Sequence, residues 1–265
     1  MARITSKLLW YLKRPKYYPE LVRMSLLLTK DFLKFSKNTK KEALLSKGWC
    51  EKRAVSTEQA IKKITGKNII SFEHKFNKEL SKAKERQEKC PVTMGGPANL
   101  DILYSICEHI KAEKVIETGV AYGWSSLATL LSIKDRKYPV LVSTDKPYPG
   151  EDNEKYVGCV VPEELKKYWR IFRGPDKNVL PKAINKIKKA GLCHYDSDKS
   201  YEGRMWAYPL LWKILKKDGY FISDDIADNL AFHDFCKRIK KEPIIIRTDS
   251  NYIGILFKND KSINS

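Results

Sequence analysis

No two of the six cysteines lie within ten residues of one another, which excludes a Cys-x-x-Cys zinc knuckle or redox motif. Six cysteines spread over 265 residues do not make a small disulfide-stapled scaffold, so a reduced, cytoplasmic chain is expected. Long apolar runs are also missing. Residues 8–12 and 25–29 fall far short of the roughly 20 residues of a membrane span. The first run is too short for a secretory signal, and no small-residue cleavage site follows it. There is no internal repeat and no low-complexity tract. Acidic residues are scarce at one end only: residues 1–90 hold 23 Lys or Arg against 9 Asp or Glu (+14), whereas the other 175 hold 28 against 23 (+5). Such a field favours acidic partners, among them phosphates, anionic glycans, a membrane surface or nucleic acid.

The 42% of hydrophobic residues can fill a sizeable core. Residues 1–90 read as a basic, mostly helical region. Leu21, Val22, Met24, Leu28, Phe32 and Phe35 recur at helical spacing, a break is expected at 37–41, and further helices are expected at 57–64 and 72–89. The pattern changes at the turn-rich joint 91–97, and residues 91–265 form the second expected unit. Helices at 99–110, 125–132, 204–217 and 232–240 alternate with strands at 115–118, 140–144, 169–172, 192–195 and 219–223. Strands at 243–247 and 252–257 close the chain with no helix between them. Repeated β-α units predict a mostly parallel sheet covered on both faces, and the final hairpin makes one strand antiparallel. The expected fold is therefore an α/β, Rossmann-like, seven-stranded sheet preceded by a helical N-terminal region.

Three motifs carry chemistry. The first, V-I-E-T-G-V-A-Y-G-W-S-S at 115–126, is a strand running through a glycine-rich turn into a helix. Gly119 and Gly123 let the backbone approach a ligand closely, at the place where nucleotides bind in doubly wound sheets. Asp145 ends the next strand, 22 residues past Gly123, where a ribose-binding acid is expected. The second, L-C-H-Y-D-S-D-K-S-Y-E-G-R at 192–204, and the third, G-Y-F-I-S-D-D-I at 219–226, place carboxylates past two further strand ends. Asp196, Asp224 and Asp225 would converge there, and oxygen-only clusters suit Mg²⁺ or Mn²⁺. The polar, proline-rich insert 146–157 is the candidate substrate lid.

The spacing E-x-G-x-x-x-G-x-S resembles motif I of class I S-adenosylmethionine (AdoMet) methyltransferases. From about Gly95 to Lys258 the chain resembles O-methyltransferases whose fourth strand ends D-G-D-H-S-Y-E-G and whose fifth ends D-D, sugar O-methyltransferases among them. Asp196, Asp198, Ser200, Tyr201, Glu202 and Gly203 match, with Lys199 in place of His. The run Asp-Ser-Asp-Lys199 is also similar to D-A-D-K of metal-dependent catechol and caffeoyl-type O-methyltransferases. The resemblance implies an AdoMet site at Glu117, Gly119, Tyr122, Gly123, Ser125, Asp145, Asp176 and Asp196, and a metal held by Asp196, Asp224 and Asp225. It implies Lys199 as the base, with Asp198 beside it. A neighbouring cation would lower the lysine pKa from its ordinary value near 10.4. His233 is a second candidate base, and His194 is expected in the core or facing substrate.

The expected activity is metal-assisted O-methylation of a small-molecule, sugar or polysaccharide hydroxyl, the acceptor being neutral or anionic. Residues 1–90 are expected to touch a membrane surface peripherally, and a homodimer is among the expected states. A nucleic-acid methyltransferase ranks below this, because neither an N-P-P-Y tetrapeptide nor an RNA-binding motif is present. A non-catalytic interaction protein of the same fold is the remaining alternative.

Overall fold

The computed structural model describes residues 7, 9–33, 37–150, 153–249 and 251–259; the break expected near 37 begins next to undescribed residues, and Phe35 lies outside them. Helices α1 (Tyr18–Leu33) and α2 (Lys37–Glu51) lead into a two-residue strand, β1 (Ala54–Val55). Residues 37–41 thus open a helix instead of breaking one: their three lysines are good helix formers. Helix α3 (Thr57–Thr65) starts at a Ser56/Gln59 capping box and stops at Gly66, which is left-handed at φ +70°. The expected helix over 72–89 is divided at Phe76 into α4 (Phe72–Lys75) and α5 (Asn77–Glu88).

The alternating half follows as β2 (Lys114–Thr118), β3 (Val140–Asp145), β4 (Trp169–Arg173), β5 (Ala190–Tyr195), β6 (Leu215–Ser223), β7 (Ile244–Arg247) and β8 (Tyr252–Lys258). The helices between them are α6 (Leu100–His109), α7 (Trp124–Ile133), α8 (Glu163–Lys166), α9 (Asp176–Ile187), α10 (Tyr201–Ile214) and α11 (Ala231–Ile239). Helix α9 went unread in the sequence because Pro181 sits inside it. Helix α10 ends three residues early because β6 begins directly at Leu215.

One sheet contains all the strands, in the order β1-β7-β8-β6-β5-β2-β3-β4. Strand β8 runs antiparallel to β6 and β7, and every other pairing is parallel. The seven expected strands are β2 to β8. The eighth, β1, pairs Ala54 and Val55 with Ile245 and Ile246; two residues are too few to show an alternating pattern. One face of the sheet packs on Ile61, Phe72, Leu103, Ile106 and Leu127. The other packs on Cys50, Leu180, Tyr208, Leu211 and Phe235. Chain from α2 through α5 therefore shares the cores of the sheet, and β1 carries it from one face to the other.

Strand order reverses between β2 and β5, the switch point where loops part and leave a crevice. The loops after β2, β3, β5 and β6 open into a cleft of about 1050 Å³ lined by Gly119, Asp145, Asp196 and Asp224.

Candidate active site

The loop after β2 is shaped by two glycines with left-handed backbone, Gly119 at φ +85° and Gly123 at φ +94°. A Cβ on Gly119 would lie 2.1 Å from the Asp196 carbonyl oxygen, and one on Gly123 would lie 2.9 Å from the Gly158 Cα. The loop is held from the side by Asp145, whose Oδ1 accepts from the Val120 and Ala121 amides at 2.9 and 3.3 Å. Asp145 Oδ2 is ion-paired with Arg173.

Beneath the loop, Glu117 is buried, and its carboxylate accepts from Ser125 Oγ and Ser126 Oγ at 2.5 Å and from Ser143 Oγ at 2.8 Å. Next to it on β5 lies His194, also buried. His194 Nε2 is 3.2 Å from Asp224 Oδ2, a hydrogen bond. Nδ1 is 3.7 Å from Glu117 Oε1, an ion-pair distance too long for a hydrogen bond. Burial alone would push the imidazole pKa down; Asp224 and then Glu117 outweigh it and lift it to about 10.

At the mouth, Lys199 bridges two strand ends. Its Nζ donates to Asp196 Oδ1 and, at 2.5 Å, to Asp225 Oδ2. Burial opposes the ammonium charge, but Asp196 and Asp225 prevail and hold the lysine pKa above its ordinary value. Asp196 is pushed up to about 6, first by burial and then by Asp224, with Lys199 pulling the other way. Asn251 donates to the second oxygen of Asp225 at 2.9 Å. Among the described residues, Asp176 Oδ1 and Asp224 Oδ1 are buried without a hydrogen-bond partner. Burial also raises the pKa of Asp176.

Residues 116–226 match the family model for a methyltransferase domain. This segment of the chain is similar to a methyltransferase domain. Its fold is shared with an O-methyltransferase from Bacillus cereus solved in complex with SAH, at a TM-score of 0.51 and 12% identity, over 79% of this chain and 100% of that one. The O-methyltransferase TomG from Streptomyces achromogenes, involved in tomaymycin synthesis and solved with SAM, superposes at 0.51 with 11% identity, over 77% and 100%. An SAH-bound methyltransferase from Podospora anserina superposes at 0.52 with 13% identity, over 85% and 97%. No curated protein matches the chain.

The cleft of this chain gathers Gly119, Ser125, Asp145, Asp176, Asp196, Asp198, Lys199, Asp224 and Asp225. The remaining expected residues lie elsewhere. Tyr122 is buried and clamps the joint before α6, accepting from the Met94 amide at 3.1 Å and donating to the Val92 carbonyl at 3.0 Å. Glu117 holds serines below the floor of the cleft. His233 is away from the lining, edge-on to Trp49 at 5.0 Å and 2.8 Å from Asp234. Within the cleft, Asp198 faces Arg23 at 3.1 Å.

The three Asp residues do not fit a metal ion as they stand. The Lys199 ammonium already occupies the space between Asp196 and Asp225, and Asp224 is turned to His194. No group of three His, Cys, Asp or Glu side chains among the described residues is arranged to hold one. No described helix is long and apolar enough to cross a membrane.

The insert after β3 is packed at both ends. Pro147, Tyr148 and Pro149 line the cleft; residues 151 and 152 lie outside the described set. The Gly158 and Val160 amides donate to the Ala121 and Tyr122 carbonyls at 2.9 and 3.1 Å.

Sequence reasoning missed Glu20, Arg23 and Lys146. Glu20 is buried and accepts from Arg23 at 2.8 and 2.9 Å and from Lys146 at 2.6 Å. A Glu and an Arg three apart on a helix look like any surface pair, so no local signal marks them.

The buried His194 has a pH consequence. Its folded-state pKa of about 10 stands above the ordinary 6.5. The folded state therefore binds this proton more tightly than the unfolded chain does. That contribution to stability is fully present below about pH 6.5 and is lost as pH rises through about 10. The melting temperature is expected to fall across this window, and His194→Gln to flatten the slope. An unchanged slope in that variant would show that His194 is neutral in the fold.

Proposed function

We propose that the protein is an AdoMet-dependent O-methyltransferase acting on a hydroxyl of a neutral, polyhydroxylated acceptor. The charge of the cleft carries this reading. Eight acidic side chains line it against five basic ones, in a chain of net charge +19. An acidic cleft favours the AdoMet sulfonium and a neutral acceptor over an anionic one. Two further features support AdoMet: Gly119 lets the loop after β2 pack onto the Asp196 backbone at the edge of the cleft, and the orphaned Asp176 Oδ1 offers an acceptor to an adenine amino group. Bound AdoMet supplies an electrophilic methyl group.

The side chains of this protein do the rest. Holding donor and acceptor in line contributes a large share of catalysis. Asp196, with its pKa near 6, is ionised at neutral pH and close enough to that range to take the acceptor proton efficiently. Lys199, fixed by Asp225, keeps a positive charge where the acceptor oxygen becomes anionic. This exchanges the roles expected from the sequence, where Lys199 was the base. Asp145 bears on the ribose through the loop amides that it holds. The insert 146–157 acts as the substrate lid through Tyr148.

Titration calorimetry with AdoMet, followed by labelled methyl transfer to a panel of sugars and catechols, tests the reading. The expected result is binding of AdoMet, label on a hydroxyl and turnover that survives EDTA. Absence of AdoMet binding would refute the reading. Turnover dependent on Mg²⁺ would restore the metal-assisted version, with Lys199 displaced from Asp196 and Asp225.

A further inference from the structure

The described residues 7 and 9–23 have two faces with different chemistry. Inward, Trp10, Tyr11 and Tyr17 form a small core of their own, backed by Leu21. The Trp10 ring meets Tyr11 edge-on at 5.2 Å and Tyr17 at 5.0 Å. Next to this cluster, Glu20 binds Lys146 at the end of β3, and Arg23 binds Asp198 past the end of β5. Glu20 and Arg23 also line the cleft. The start of α1 is thus a wall of the candidate active site, tied to two of its strand ends.

Outward, the same segment shows large apolar side chains to solvent. Leu9 is 51% exposed, Leu12 58%, Tyr18 41% and Val22 59%. Tyr18 and Val22 are four residues apart on α1 and share a face. Lys7, Lys13 and Lys16 are exposed among them. Over residues 7–23 there are five basic residues and one acidic one. That acid, Glu20, is buried and spent on Arg23 and Lys146. The outward face therefore carries apolar groups and positive charge with no negative charge to offset them.

We propose that residues 7 and 9–22 form an interfacial docking element that seats the rim of the cleft on an anionic bilayer surface. Leu9, Leu12, Tyr18 and Val22 enter the headgroup region, and Lys7, Lys13 and Lys16 lie on anionic headgroups. Interfacial helices combine these two features: an apolar face for the acyl boundary and lysines for the headgroups. The other occupants fit less well. Nucleic acid satisfies the lysines but leaves the aliphatic side chains unused. A second copy would bring together two basic segments, each within an N-terminal region of +14. Because the inner face of the element is a wall of the cleft, docking presents the acceptor site to the membrane surface. Only that consequence rests on the methyltransferase reading; the docking does not.

The test is flotation of the full chain with vesicles of phosphatidylcholine, with and without phosphatidylserine. Flotation is expected only with the anionic vesicles at low salt. It should weaken toward 1 M salt, where the screening length falls to about 3 Å. Leu9→Asp combined with Val22→Asp, and separately Lys13→Glu combined with Lys16→Glu, should each lower partitioning at least about tenfold, the equivalent of losing some 1.4 kcal/mol. AdoMet titration in both variants reports that the fold is intact. The proposal is overturned if the wild-type chain stays unbound at low salt or if both variants float like wild type. It is also overturned if the aspartate variant merely dissociates a dimer while flotation is unchanged. Flotation without any AdoMet binding would defeat the methyltransferase reading and leave the docking element standing.

Discussion

Replacing Gly119 by alanine is expected to abolish AdoMet binding and to lower the melting temperature. The residue sits at φ +85°, a region an L side chain enters at a cost of about 1–3 kcal/mol. Its new Cβ would lie 2.1 Å from the Asp196 carbonyl oxygen and 2.8 Å from the carbonyl carbon. Both atoms are backbone, so no rotamer change relieves the clash. The Asp196 amide in turn donates to the Thr118 carbonyl at 2.9 Å. Any retreat of Asp196 therefore pulls apart the ends of β2 and β5, where the cleft begins. Overpacking of this kind adds about 1–3 kcal/mol, and each kcal/mol corresponds to roughly 2–4 °C at this chain length. Gly48→Ala is the control. It sits inside α2 with nothing within 4 Å of an added Cβ, so it should raise stability by about 0.5–1 kcal/mol. Calorimetric AdoMet titrations and thermal melts of the two variants check both statements. Wild-type AdoMet affinity in Gly119→Ala would remove this loop from the binding site.

Lys199→Met is expected to lower turnover on the order of 10²–10⁴-fold, the range for a lost acid–base or charge-stabilising group, while AdoMet affinity changes little. The ammonium lies between Asp196 and Asp225, and methionine fills the space without the charge. Asp196 then loses the cation that counters burial and Asp224, so its pKa rises further. The acidic limb of kcat/KM, expected near pH 6 in the wild type, should move to higher pH in the variant. A merely structural lysine would change stability and leave that limb in place, so the pH profile separates the two roles. An unshifted limb with normal turnover would remove Lys199 and Asp196 from the chemistry.

The alternation of helices and strands past residue 91, the strand–Gly–helix turn and the carboxylates at the strand ends were all legible in the sequence. These are local facts: periodicity is written residue by residue, and a glycine forced to positive φ leaves its mark at one position. Gly119, Asp145, Asp196, Asp198 and the Asp224–Asp225 pair line one cleft. Strand β1 was not legible, being two residues long and paired only through β7. Helix α9 was hidden by Pro181.

What each side chain does at the site was decided only in three dimensions. A motif places Glu117, Tyr122 and Lys199 on a loop or strand, but not what they touch. Glu117 is claimed by three serines from α7 and β3, Tyr122 by the joint 92–94, and Lys199 by two aspartates from different strand ends. Charge shows the same division. Composition set the whole chain at +19 and located the excess in the N-terminal third. Only folding gathered eight acidic residues from distant segments into the cleft and buried the one acid of residues 7–23. Net charge is a sum over the chain, whereas the field a ligand meets depends on which charges the fold brings near it, and that is a property of distances the sequence does not contain.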